Sequence, residues 1–214
     1  MPGTLRRRPL LAWLALAASG LWSGVTIAQS ALTWDALVAD TRAQGLFETL
    51  EKVNRRINAF READDRDTWR RTDYWATPQE LIGRGAGDCE DFAIAKYFLL
   101  RADGIAPDRL RLMVARVYNP RGSMIESHLV LLYQATDDTE PLVLDNLRGD
   151  IVRLSERPDL FPLAKFDTQS YWTYRGDSWT LSTNAPPLLE WHRLLERWNR
   201  ELAANKVATA DGEP

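Results

Sequence analysis

Gly83-Arg84-Gly85-Ala86-Gly87-Asp88-Cys89-Glu90-Asp91-Phe92-Ala93-Ile94-Ala95-Lys96-Tyr97-Phe98-Leu99-Leu100-Arg101-Ala102-Asp103-Gly104 is the stretch around which the rest of the chain arranges itself. The glycine-rich start over 83–87 predicts a flexible elbow. Asp88 then stands where a helix N-cap is expected, and Gly104 is the stop signal beyond a helix ending near Ala102. Phe92, Ala93, Ile94, Ala95, Tyr97, Phe98, Leu99 and Leu100 make this helix apolar nearly all round, so it should be buried at the centre of the domain.

Upstream, residues 32 to 60 carry Leu46, Phe47, Leu50, Val53, Ile57 and Phe60 at spacings of three and four, which predicts an amphipathic helix. Residues 61 to 74 are rich in acids and arginines without a usable period and read as a charged loop or frayed helix end. Thr77-Pro78-Gln79-Glu80 supplies an N-cap, a proline at the first helical position and a capping-box acid, so a short helix starts there and stops by Gly83.

Downstream, the period changes from helical to alternating. Strands are expected over 110–118, 128–133, 142–147, 151–154, 171–174 and 179–181, with a turn at Asn119-Pro120-Arg121-Gly122. Pro186-Pro187 should open a last helix with Leu188, Trp191, Leu194, Leu195, Trp198 and Leu202 on its apolar stripe, followed by a disordered tail over 206–214. Helices followed by an antiparallel sheet define an α+β fold with flanking N- and C-terminal helices.

Residues 1 to 28 stand apart. Arg6, Arg7 and Arg8 precede an apolar run from Leu10 to Ile27 that ends near Ala28, the pattern of a secretory signal, with an uncleaved anchor as the alternative. The enzyme domain is then expected over 29–205. Loss of three arginines and no acids takes the formal charge from -3 to -6, which argues against nucleic acid as a partner. One cysteine cannot form an internal disulfide, and a lone thiol in an exported chain must be buried or used.

Cys89 falls at the opening of the central helix, where unpaired backbone N–H groups and the positive dipole end favour a thiolate and can also face a developing oxyanion. A small buried hydrophobe is the competing reading of this thiol. A nucleophilic cysteine needs a base, and the chain has two histidines. His192, between Trp191 and Arg193, should face solvent, whereas His128 opens the apolar strand Leu129-Val130-Leu131-Leu132.

The turn-rich segment 134–140 joins that strand to Leu142-Val143-Leu144-Asp145, so the two should form a hairpin. His128 then lies directly opposite Asp145, or, with Asp137-Asp138 as the turn, opposite Leu147 with Asp145 its diagonal neighbour. Either register puts imidazole and carboxylate on one side of the sheet. Cys89, His128 and Asp145 are thus a candidate nucleophile, base and orienting acid. One Cys and two His at unrelated spacings make no zinc pattern. Trp34, Trp191 and Trp198 occupy core-like helical positions, while Trp69, Trp75, Trp172 and Trp179 fall near loops, where they could line a groove or be buried.

The block from Gly87 to Tyr97, with Trp75-Ala76-Thr77-Pro78 before it and Ser127-His128-Leu129-Val130-Leu131 and Leu144-Asp145-Asn146 after it, resembles the bacterial transglutaminase-like cysteine proteinases, and among them the periplasmic adhesin proteases. The resemblance covers roughly residues 31 to 200 and implies a transglutaminase/papain-like core. It implies peptide-bond hydrolysis through an acyl-enzyme, with Cys89 attacking, His128 moving the proton and Asp145 fixing the imidazole. It also implies calcium held by acids flanking the nucleophile, at Asp88 and Glu90 with Asp91 adjacent. Asp88 and Asp91 would alternatively form a capping box, and acids between Glu62 and Asp67 are candidates for further ligands. The implied setting is the periplasm, with a large cell-surface adhesin cut near its N-terminus to promote biofilm dispersal. The implied inhibitor is the periplasmic domain of an inner-membrane cyclic-di-GMP receptor. A transglutaminase or protein amidase using the same triad, and a non-catalytic binding module, are the rival readings.

Overall fold

The computed structural model describes residues 32–118, 124–183 and 188–210. The secretory segment, the 119–122 turn, the Pro186-Pro187 helix opening and residues 211–214 therefore lie outside the described residues. The helices are α1 (Trp34–Thr41), α2 (Leu46–Ile57), α3 (Asp65–Thr68), α4 (Pro78–Arg84), α5 (Cys89–Ala102) and α6 (Leu189–Ala210). The strands are β1 (Arg61–Glu62), β2 (Ala86–Gly87), β3 (Leu110–Tyr118), β4 (Met124–Tyr133), β5 (Leu142–Leu144), β6 (Val152–Arg153), β7 (Leu160–Phe166), β8 (Tyr171–Arg175) and β9 (Ser178–Leu181). No helix among the described residues is long and apolar enough to cross a membrane.

The expected central helix is α5, and its ten residues from Asp91 to Leu100 are all buried. It packs on a seven-stranded antiparallel sheet of order β6-β5-β4-β3-β7-β8-β9. Phe92, Ile94 and Leu99 meet Leu112, Leu129, Leu131, Leu144 and Phe166 in one core, and each such side chain contributes roughly 1.5–3 kcal/mol on leaving water. A smaller cluster of Met113, Ala115, Val130, Leu132, Val143 and Leu160 uses the alternate residues of the same strands, so the middle of the sheet is buried on both faces. Trp191, Leu194 and Trp198 of α6 complete the larger core, and Trp198 meets the Trp34 ring edge-on at 5.0 Å.

Four local expectations are corrected. The amphipathic stretch 32–60 is two helices rather than one, broken between Thr41 and Leu46, where Gly45 is an extended N-cap. The break turns Leu50, Val53 and Ile57 inward and leaves Leu46 and Phe47 exposed. The glycine elbow is not a free loop: Ala86 and Gly87 pair in parallel with Arg61 and Glu62, while Gly85, at φ 66°, ends α4. The expected strand over 142–147 stops at Leu144. Finally, α6 continues to Ala210, into the expected tail.

The sequence pattern missed β7 altogether, because Pro162 lacks the N–H that a strand between two neighbours needs. The chain accommodates it with a register shift: Val114 pairs with Ala164 and Ala115 with Pro162. The capping box is present as expected. Thr77 Oγ1 accepts from Glu80 N at 3.2 Å, and Glu80 Oε2 accepts from Thr77 N at 2.8 Å.

Candidate active site

The β4–β5 hairpin adopts the diagonal register. Leu131 pairs with Leu144 and Tyr133 with Leu142, and the Thr136 carbonyl accepts the Thr139 N–H across Asp137-Asp138. β4 outruns β5, and just past the end of the shorter strand the His128 side chain reaches its diagonal neighbour Asp145. His128 continues the alternation of Val130 and Leu132, and Asp145 that of Val143, which keeps both on one side of the sheet. Their atoms Nε2 and Oδ1 are 2.7 Å apart, with the residues 2% and 1% exposed.

A buried carboxylate needs several partners. Asp145 Oδ1 also accepts the Leu147 N–H at 3.0 Å, and Oδ2 accepts from Arg157 Nη1 at 2.7 Å. Burial opposes ionisation of Asp145, yet the hydrogen bonds and charges of His128 and Arg157 hold its carboxyl well below the usual carboxylate range. Since an ionised carboxylate only accepts, His128 Nε2 must be the donor. Nδ1 is thereby left as the proton acceptor of the neutral ring.

Cys89 is partly buried at the start of α5 and meets β4 at the residue after His128, because the Leu129 N–H bonds its sulfur. The expectation of a thiolate favoured by the helix end is not what dominates here. Burial first, and then the charge of Glu90, push the thiol well above its ordinary value. Glu90 Oε2 accepts from Cys89 Sγ at 2.8 Å.

Beside this lies a cleft of about 370 Å³ lined by Asp65, Asp73, Trp75, Asp88, Glu90 and His128. Carboxylate oxygens of Asp65, Asp88 and Asp91 lie within 4.8 Å of one another. Glu90 is not in this group, its carboxylate being turned to the thiol. The anticipated Asp88 capping bond is not formed either. Asp91 Oδ1 accepts the Ala76 N–H at 2.7 Å instead, and Asp65 Oδ2 the Tyr74 N–H at 2.5 Å.

The segment that supplies those two N–H groups is clamped by α6. Arg197 donates to the Trp75 carbonyl and lies 4.6 Å from the centre of the Tyr74 ring, while Glu201 Oε1 accepts the Thr77 hydroxyl at 2.9 Å. Asp65 Oδ1 and Asp88 Oδ1 are buried with no hydrogen-bond partner. Burial, then the charges of Glu90, Asp91 and Asp65, push the Asp88 carboxyl up to about 9. Burial and the charge of Asp65 push Asp91 up to about 7 despite the Ala76 bond. Burial is also the largest cause of the upward shift at Asp65.

Orphaned, crowded carboxylate oxygens of this kind fit a hard cation that prefers oxygen ligands. Gly87 belongs to the same cradle. A Cβ there would sit 2.5 Å from Asp91 Oδ2 and 2.9 Å from Leu81 Cδ1. Gly87→Ala is expected to cost about 1–3 kcal/mol, the usual range for overpacking, and to displace Asp91; thermal unfolding of the variant measures it.

Residues 32–179 match the sequence model of the bacterial transglutaminase-like cysteine proteinase BTLCP family. The chain belongs to this family. It is a cysteine protease of the BTLCP kind, and the mixed helices and antiparallel sheet are that family's fold. Legionella pneumophila LapG is similar at 38% identity and a TM-score of 0.64, over 77% of this chain and 84% of that one. Its calcium-bound and EGTA-treated structures are each 36% identical with TM-scores of 0.65, over 77% of this chain and 87% and 85% of theirs. No curated protein matches the chain.

Arg157, bonded to Asp145, and Asp73, lining the cleft, were not singled out in the sequence. Asp65 was only one of several acids considered. Arg157 reaches Asp145 through tertiary structure, and no local sequence signal marks it. His192 is exposed on α6, as expected, at a surface cavity lined by Tyr171 and Trp191.

Proposed function

We propose that this BTLCP protease is a periplasmic, calcium-dependent endopeptidase that cuts a large cell-surface adhesin near its N-terminus and so promotes biofilm dispersal. In this reading Cys89, His128 and Asp145 are its triad. The observation that carries it is the meeting, on one strand, of the Cys89 sulfur at the Leu129 N–H and a buried His128–Asp145 pair bonded through Nε2, which makes Nδ1 the accepting nitrogen of a neutral ring. Similarity to the calcium-bound LapG of L. pneumophila supports the metal, and the resemblance to adhesin proteases supports the substrate and the export signal over 1–28.

His128 Nδ1 takes the Cys89 proton as Sγ attacks the scissile carbonyl, forming a thioester and handing that proton to the departing amine. Water, deprotonated by the same nitrogen, then splits the thioester and restores the thiol. Backbone N–H groups at the start of α5 face the developing oxyanion. Asp88 and Asp91, joined by Asp65, would hold the metal, with Glu90 lining the same cleft. A divalent cation there would compensate the buried carboxylates and counter the negative field that keeps the Cys89 thiol protonated.

A periplasmic receptor domain that answers cyclic-di-GMP would inhibit the enzyme by occluding this site. The reading is tested by incubating the purified protein with the N-terminal region of a candidate adhesin from the same genome, with calcium, with EGTA, and as Cys89→Ala. Calcium- and Cys89-dependent scission is the expected result. A mass change at a glutamine side chain without scission, either its amide nitrogen replaced by oxygen or an amine added with loss of ammonia, would instead assign deamidation or amide transfer. An intact substrate under every condition, with Cys89 inert to iodoacetamide, would replace the protease assignment with a binding role.

A further inference from the structure

Arg157 is 3% exposed, and all three of its side-chain nitrogens are engaged. Nη1 donates to Asp145 Oδ2 at 2.7 Å, Nε to Asp159 Oδ1 at 2.9 Å and Nη2 to Asp159 Oδ2 at 2.7 Å. The guanidinium is thus gripped as a fork by one carboxylate and presents its remaining edge to the other. The backbone holds the fork in turn: Arg157 N–H donates to the Leu154 carbonyl, and the Asp159 carbonyl accepts from Tyr118 at the end of β3. An arginine buried at this depth costs desolvation unless both of its faces are paired, and both are.

The result is a four-residue line, His128–Asp145–Arg157–Asp159, running from the buried candidate base out to a partly exposed carboxylate. Asp145 lies past the end of β5, so no ladder fixes its side chain. Its carboxylate plane is set by three bonds, from His128, the Leu147 N–H and Arg157, of which only the Arg157 bond reaches Oδ2. The other charged groups facing Asp145 are Lys96, fully buried on α5, and Asp159, whose charge Arg157 screens.

Resting on the triad reading above, we infer that Arg157 is a positioning residue of the catalytic line: it fixes the Asp145 carboxylate so that His128 keeps its proton on Nε2 and Nδ1 faces the thiol. Arg157 touches neither substrate nor reacting atoms, and its effect passes through Asp145 and His128 alone. It therefore acts on turnover and on the imidazole tautomer while substrate binding is untouched.

The test combines ring-nitrogen NMR of ¹⁵N-histidine protein with cleavage kinetics on the adhesin N-terminal region, for Arg157→Met, Arg157→Lys and Asp159→Asn. The chain has two histidines, and exposed His192 serves as the internal reference. Wild type should show one His128 tautomer, protonated on Nε2. Arg157→Met should show averaged ring nitrogens and a kcat lowered about 10- to 100-fold at unchanged KM, the range for removing a group that orients a functional side chain from behind.

Arg157→Lys should recover the tautomer and most of the rate. Asp159→Asn, which keeps the bond to Asp145 but loosens the fork, should fall between. Should Arg157→Met not fold, the lysine and Asp159 variants carry the same comparison. A wild-type tautomer and kcat in folded Arg157→Met, or in Asp159→Asn where the methionine variant does not fold, would overturn the inference while leaving the triad in place. Full activity of Cys89→Ala in the same assay would instead remove the triad reading itself.

Discussion

Cys89→Ala should abolish cleavage, with a loss of about 10⁶-fold in kcat, and Asp145→Asn should lose about 10⁴-fold; initial rates on the N-terminal region of a candidate adhesin check both. The first change removes the only thiol in the chain, from a partly buried helix start, so little packing is lost and the fold should survive. The second keeps the shape of the side chain and reverses its chemistry. An amide can turn its NH₂ toward His128 Nε2, which must then accept, and the proton moves to Nδ1 where it blocks transfer from the thiol. Arg157 enforces this outcome, because it demands an acceptor at the other position of the side chain.

Asp145→Asn also leaves Arg157 with one carboxylate fewer inside the protein, so about 3–5 kcal/mol of stability should be lost in the same variant. The kinetic and stability losses are separable. His128→Gln should match the kinetic loss without leaving a guanidinium short of a partner. An Asp145→Asn enzyme with near-wild-type turnover would show that the buried pair is structural and that Cys89 works with another base.

How much of this was legible in the sequence follows from which contacts are local. The central helix was legible because its signals lie within the helix itself: a cap position, an unbroken apolar run and a stop glycine. The His128–Asp145 pairing was legible because one turn fixes the register, and Asp137-Asp138 centres it. Strand β7 was not, since Pro162 argues against a strand until one knows that a bulge in the ladder with β3 excuses it. The broken helix over 32–60 read as one because the spaced apolar residues that marked it all lie at or beyond Leu46 and carry no sign of the break at Gly45, and Leu46 and Phe47 end up in solvent.

At the cleft, Asp88 and Asp91 of the Gly87–Tyr97 block lie together, whereas the Glu90 carboxylate faces the thiol and Asp65 stands beside the other two. Asp65 enters on α3, more than twenty residues upstream, held by the Tyr74 N–H. Periodicity says nothing about such a return of the chain, nor about Arg157, twelve residues after the aspartate it holds.

Calcium should raise the melting temperature by about 5–10 °C at a free concentration near 100 times its Kd, where binding to the native state adds about 2.7 kcal/mol, and EGTA should remove both this gain and cleavage. The sign of the pH dependence follows from the acids. In EGTA, Asp88 and Asp91 titrate in the folded protein near 9 and 7, against about 4 in the unfolded chain, so the folded state binds more protons between those limits. Stability in chelator therefore falls as pH rises from about 4 through about 9. Calcium must displace the same protons, so its stabilising effect grows with pH, and the shift at pH 8 should exceed that at pH 5.

Asp88→Asn separates this from a generic salt effect. Its Oδ1 has no hydrogen-bond partner to lose, and one negative charge leaves a crowded group. The variant should thus be as stable as wild type in EGTA at pH 8, or more stable, while its calcium shift is largely lost. A calcium shift retained in Asp88→Asn, or absent from wild type at both pH values, would mean that Asp65, Asp88 and Asp91 are buried partners of the Tyr74 and Ala76 backbone and hold no metal.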